Sequence, residues 1–139
     1  MEDQPEIKFV PKGWGFEKWI VNTNKYCGKL LYFAKGHKCS LHYHSIKDET
    51  FYIQSGKIVL WYSDELNTIN KIMESENEVE RLSKLYDGTI LNRIVLKKGD
   101  NFYVPPGRVH QMMAAEDTEL FEFSTQHFDT DSHRIIKGD

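Results

Sequence analysis

From Gly28 to Tyr62 the chain reads GKLLYFAKGHKCSLHYHSIKDETFYIQSGKIVLWY. Four runs rich in β-branched and aromatic residues, GKLLYFA (28–34), SLHYH (40–44), TFYIQ (50–54) and KIVLWY (57–62), alternate with short links of Gly, Lys and Asp. Runs of this length between turn-forming residues are the pattern of strands joined by tight turns. The pattern begins earlier at EKWIV (17–21) and returns at RIVL (93–96), NFYVPPG (101–107), HQMMAA (110–115) and ELFEFST (119–125). About nine or ten short antiparallel strands follow, hence an all-β sandwich or barrel. The exception runs from Asn67 to Gly88, where Ile72, Val79, Leu82 and Tyr86 recur near helical spacing. Ser75 with Glu78 fits a capping box and Gly88 a C-terminal stop, so the spacing predicts one inserted helix over about Glu76–Tyr86 with a solvated acidic face.

Composition narrows the function classes. The chain has 139 residues, 40% hydrophobic and 28% charged, as expected of a single domain over residues 1–139. A chain of this size buries roughly 68% of its unfolded surface, enough to hold a preformed cavity. The net charge of −3 offers no basic excess for nucleic acid. No apolar run approaches the roughly 18 residues of a membrane span, and MEDQPEIK is unlike a secretory leader, so a cytoplasmic protein without a membrane partner is expected. Cys27 and Cys39 form no CxxC pair and read as reduced, packed thiols.

The chemistry concentrates in a few residues. His42 and His44 are two apart, and residues i and i+2 of a strand face the same side. Glu49 follows across the polar link SIKD, where a turn returns the chain beside its predecessor. His110 opens a strand after the rigid turn PPGRV. Three imidazole nitrogens and one carboxylate oxygen suit one divalent transition ion, Fe, Mn, Zn, Ni or Co, and an octahedral ion would keep two positions open.

Written out, the spacing is Gly36, five residues, His42, one, His44, four, Glu49, six, Gly56; then Gly99, five, Pro105, one, Gly107, two, His110. This resembles both motifs of the cupin superfamily at every metal-ligand position; the Asn that usually ends the second motif is Ala114 here. The resemblance implies a small jelly-roll barrel with a metal in one open end, its long gap between motifs holding the helix. Trp14-Gly15, SLHYH, YVPPGRVHQM and ELFEFSTQHFDTDSHRI together look like the C-terminal cupin module of type II phosphomannose isomerases, which often travels with a GDP-mannose pyrophosphorylase. That implies a metal-dependent sugar or sugar-phosphate isomerase or epimerase, mannose-6-phosphate isomerase-like, working through an enediolate held on the metal. The family's closing acidic run and arginine correspond to Asp129 through Arg134, but its further Tyr-Gly-Arg stretch has no counterpart before Asp139.

An isomerase needs a base with a pKa raised by burial. Glu122 alternates with Phe121 and Phe123 and reads either as that base or as an exposed edge residue. Lys18 reads as an acid or anion contact, or as a solvated lysine. Arg108 and Arg134 can grip a phosphate or carboxylate, or form surface ion pairs. Tyr52, with Tyr32, Tyr43 and Tyr103, can offer hydroxyls to a sugar or simply pack. His127, like His37, reads as an ordinary surface histidine or, because it follows the Glu122 strand, as a pocket neighbour, and Met112 and Met113 read as filler. Two alternatives stay open: an iron dioxygenase on the same four ligands, and a sugar-binding module without catalysis. A homodimer formed through strand edges is expected.

Overall fold

The computed structural model describes residues 3–139. The first half forms β1 (Lys8–Lys12), β2 (Gly15–Asn22), β3 (Cys27–Phe33), β4 (Leu41–Tyr43), β5 (Glu49–Ser55) and β6 (Lys57–Ser63). Helices α1 (Leu66–Met73) and α2 (Glu78–Tyr86) follow, then β7 (Asn92–Lys97), β8 (Asn101–Val104), β9 (Val109–Ala114), β10 (Thr118–Ser124), a 3₁₀ turn at Asp129–Asp131 and β11 (His133–Ile136). A six-stranded sheet, in the order β1-β2-β3-β10-β5-β8, faces a five-stranded one, β11-β4-β9-β6-β7. The pairings within both sheets are antiparallel. This is a jelly-roll barrel, the form that the cupin resemblance implied within the sandwich-or-barrel class that the strand pattern predicted.

Alternation along each strand divides the interior into two halves. On β3, Cys27, Lys29, Leu31 and Phe33 are buried while their neighbours are half-buried. On β10 the buried positions are Thr118, Leu120 and Glu122; on β5 they are Glu49, Phe51 and Ile53. Reading inward from one end, polar Lys29, Glu122, Glu49 and His110 give way two residues on to Leu31, Leu120, Phe51 and Met112. The apolar half is a cluster that includes Phe33, Ile53, Ile58, Leu60, Leu96 and Val104, closed by Trp14 stacked 4.0 Å from Phe33. Each such aliphatic or aromatic side chain contributes about 1.5–3 kcal/mol on burial, which is what holds the polar half together.

Two details depart from the sequence reading. The insertion holds two helices, not one. Ile69, Ile72 and Leu66 of α1 pack with Leu85 and Tyr86 of α2 on Leu41, Trp61 and Val109, the outer face of the five-stranded sheet. Val79, placed on the apolar face by spacing alone, is 78% exposed, because α1 supplies the contacts that one longer helix would have made. The cap is also different: Asn77 Oδ1 accepts the Glu80 N–H at 3.0 Å, so Ser75 belongs to the link between helices. Neither helix is long or apolar enough to cross a membrane. The second departure is strand number. β1 and β11 add to the strands read from the sequence, and both are edges, where short polar segments and Pro11 are tolerated.

Gly56 turns β5 into β6 with φ +92°, and a Cβ there would lie 2.3 Å from the Asp117 carbonyl oxygen. Gly56→Ala should therefore destabilise the barrel by about 1–3 kcal/mol or more, read as a lowered thermal midpoint. An unchanged midpoint would contradict this packing.

Candidate functional site

β4 and β9 pair at His42 and His110, so two imidazoles stand side by side on the inner face. His44 follows β4, and Gly107 of the PPGRV turn donates its N–H to the His44 carbonyl at 2.7 Å, tying the two ligand-bearing segments together. One ring nitrogen of each histidine lies within 4.8 Å of the others. Their other nitrogens are committed: Nδ1 of His42 to the Ser40 carbonyl at 2.9 Å, of His44 to the Asp131 carbonyl at 3.0 Å, of His110 to the Arg108 carbonyl at 3.0 Å. A carbonyl only accepts, so each Nδ1 carries the proton and each Nε2 keeps a free lone pair. Burial holds all three rings below the ordinary histidine range, His44 and His110 down to about 3, so they stay neutral near pH 7.

Glu49 opens β5 beside them. Its Oε2 lies 3.4 Å from His44 Nε2 and 3.9 Å from His110 Nε2, and it is buried without a hydrogen-bond partner. Burial and the nearby Glu122 charge push its carboxyl well up from the usual range. Three neutral nitrogens and a partnerless carboxylate oxygen turned to one void fit a divalent cation, which would supply the missing partner. His42, His44, Glu49 and His110 are thus brought together.

The void is a cavity of about 670 Å³ lined by these four residues together with Glu122, His127 and Arg134, among others. Glu122 faces inward, 4% exposed, opposite to exposed Phe123. Burial alone would raise its carboxyl, but Lys47 and Lys29, with hydrogen bonds from Lys47 and Ser124, outweigh burial and hold it below the ordinary range. A base raised by burial was expected; the observed group is a paired, ionised carboxylate. Lys47 Nζ donates to Glu122 Oε2 at 2.9 Å and to His127 Nδ1 at 3.0 Å, and His127 Nε2–H then donates to Asp129 Oδ1 at 2.9 Å.

Three other expectations do not survive the geometry. Lys18 is exposed on the outer face of β2, whose Glu17 and Trp19 line the cavity instead. Arg108 points away and grips Asp64 through two hydrogen bonds of 2.9 and 3.0 Å. Tyr52 is 38% exposed on the outside of β5, and Tyr32, Tyr43 and Tyr103 are also outside the lining. For Lys18 and Tyr52 strand alternation decides, since their inward neighbours are Glu17 and Phe51; Arg108 precedes β9 and is held outward by Asp64.

The sequence reading missed Lys47, Lys29 and Asp131. Lys29, 1% exposed, sits in the inward register of Leu31 and Phe33, so period-two counting carried its signal, whereas Lys47, 3% exposed, lies in the link before β5, where alternation gives no direction. Lys29 is held by Glu17 at 3.5 Å and lies 4.2 Å from the Trp19 ring centroid. Asp131 had no local signal. Its carboxylate accepts the N–H groups of Ser45, Ile46 and Lys47 at 2.8, 3.1 and 3.0 Å, shaping the link that carries Lys47 into place, while its carbonyl orients His44.

The JmjC domain family model (JmjC_2) matches residues 4–134. The chain belongs to the JmjC domain family. This JmjC domain is 28% identical over 120 residues to a D-lyxose/D-mannose isomerase of Thermosediminibacter oceani, covering 81% of the chain and 62% of that relative. It is 29% identical over 116 residues to a D-lyxose ketol-isomerase of a Thermofilum species, covering 78% and 61%. The chain thus spans about three-fifths of these relatives' length. Among solved structures, KdgF from Halomonas sp. superposes with a TM-score of 0.63 at 15% identity over 94% of both chains. Oxalate decarboxylase of Bacillus subtilis gives 0.68 at 14% identity, over 94% of this chain and 30% of that one. The capsular polysaccharide assembling protein CapF of Staphylococcus aureus gives 0.67 at 14%, over 94% and 34%. These likenesses establish the JmjC domain here as a cupin-type barrel.

Asp131→Asn keeps the side-chain size but removes the charge that gathers three N–H groups. It should weaken divalent-metal affinity about 10–100-fold in chelator competition, with circular dichroism unchanged. Unaltered affinity would detach the Asp131 loop from the site.

Proposed function

We propose that this domain is a metal-dependent aldose–ketose isomerase. The observation that carries the reading is the cavity itself: three Nε2 lone pairs and the partnerless Glu49 oxygen beside a buried Lys47–Glu122 pair. Similarity to two sugar isomerases supports the same chemistry. Mannose 6-phosphate, or a related sugar phosphate, is the finer form of this proposal.

His42, His44, Glu49 and His110 would hold one divalent ion, Fe, Mn, Zn, Ni or Co. When bound, the ion supplies electrostatic stabilisation of negative charge that builds on the substrate's neighbouring oxygens. The remaining work falls to side chains. Glu122 takes the proton from the hydroxyl-bearing carbon next to the carbonyl and returns it to the former carbonyl carbon, while that hydroxyl gives up its proton and the former carbonyl oxygen gains one. While paired with Lys47 it is a weak base; a sugar oxygen that draws Lys47 Nζ toward itself loosens that pair and restores its basicity. Lys47 Nζ, held protonated because Glu122 and Glu49 outweigh the effect of burial, donates to that oxygen. His127 fixes the ammonium's direction through its Nδ1. Trp19 and the apolar half of the barrel limit water around the reacting carbons.

The test is turnover of free and phosphorylated aldoses by the metal-loaded protein in deuterated water. Solvent deuterium should enter the carbon beside the carbonyl. Glu122→Gln should lower turnover by at least about 100-fold, the usual worth of a general base, with metal content unchanged. No deuterium in any sugar, or oxygen consumption in its place, would overturn the isomerase reading in favour of a sugar binder or a dioxygenase.

A further inference from the structure

The charges around the cavity do not cancel evenly. Lys29 is answered by Glu17, and Lys47 by Glu122. Lys8 lies over the Trp19 ring, 4.7 Å from its centroid. The lining carboxylates other than Glu49, which belongs to the four-ligand centre, are also engaged: Asp129 with His127, and Asp139 with the Lys38 N–H and His37. Lys12, Arg134 and Lys137 line the same cavity, and among the described residues their side chains make no ion pair, hydrogen bond or ring contact. The chain as a whole is acidic, with net charge −3, so three unanswered cations at one opening are not a by-product of a basic surface.

Their position ties them to the candidate centre. Lys12 ends β1, the edge of the six-stranded sheet, and Arg134 lies on β11, the edge of the five-stranded sheet. Arg134 is the register partner of His42, and directly opposed residues share a face. An anion gripped by Arg134 therefore sits one side chain away from the three imidazoles, on the solvent side.

We propose that Lys12, Arg134 and Lys137 form an anion subsite at the cavity mouth, and that the sugar this site takes carries a phosphate or carboxylate at the end remote from its carbonyl. The sugar rests on the isomerase reading above; the anion rests on the unanswered cations alone. Arg134 offers a planar fork of donors, and Lys12 and Lys137 offer point charges, a combination suited to a tetrahedral or planar oxyanion.

The test uses the metal-loaded full chain in two arms. In the first, calorimetry with inorganic phosphate and with acetate compares the native protein with Arg134→Gln, Lys137→Gln and the variant in which Lys12, Arg134 and Lys137 are all Gln. Each single substitution should weaken anion binding about tenfold, the loss of one charge-assisted hydrogen bond. Preference for phosphate identifies a phosphate ester as the natural group; preference for acetate identifies a sugar acid. In the second, kcat/KM is measured for a neutral aldose, its terminal phosphate ester and the matching uronic acid. The preference for the anionic over the neutral sugar should fall by the same factor in each variant, while Lys97→Gln, on β7, leaves it alone. Equal anion binding by the native protein and the triple variant, or an unmoved substrate preference, overturns the subsite. Cation-dependent anion binding without hydrogen exchange on any sugar upholds the subsite and removes the isomerase reading.

Discussion

Three backbone carbonyls, of Ser40, Asp131 and Arg108, take the Nδ1 protons of His42, His44 and His110, leaving three Nε2 lone pairs turned to one void. Glu49 adds a buried oxygen with no partner of its own. Leaving a carboxylate in that state costs several kcal/mol, and repulsion among lone pairs adds to it. A cation among the four groups answers both penalties at once. The remaining architecture can be read as the means of holding these donors still: the Gly107 to His44 hydrogen bond joins the ligand segments, and the Asp131 carboxylate gathers the link that precedes Glu49.

The barrel tolerates this polar half because its other half is apolar. The same strands supply both, two residues apart. Charged side chains in the polar half are offset in pairs, Lys29 with Glu17 and Lys47 with Glu122, since an unpaired buried charge would unbalance a domain whose net stability is only about 5–15 kcal/mol. The pairs also set protonation states. Glu122 stays ionised and Lys47 stays cationic, although burial opposes both.

Much of this was legible in the residues. Period-two alternation placed His42 with His44 and turned Glu122 away from Phe123. The spacing from Gly36 to Gly56 and from Gly99 to His110 pointed to the four candidate ligands. What escaped did so for physical reasons. Lys47 reads as part of a polar link until Asp131, far along the chain, draws that link inward. Arg108 and Tyr52 belong to the right segments but point outward, and residue type alone carries no direction. The inserted helices divide at residues 74–77 because Asn77 caps α2, a choice that competes with Ser75 on nearly equal terms in sequence.

X-ray absorption of the protein loaded with a single divalent metal tests the shared centre most directly. One ion per chain, in a shell of oxygen and nitrogen with the multiple-scattering pattern of three imidazoles that falls to two in His110→Ala, is the predicted result. A shell without imidazole scattering, or loading unaffected by the loss of His110, would contradict the account.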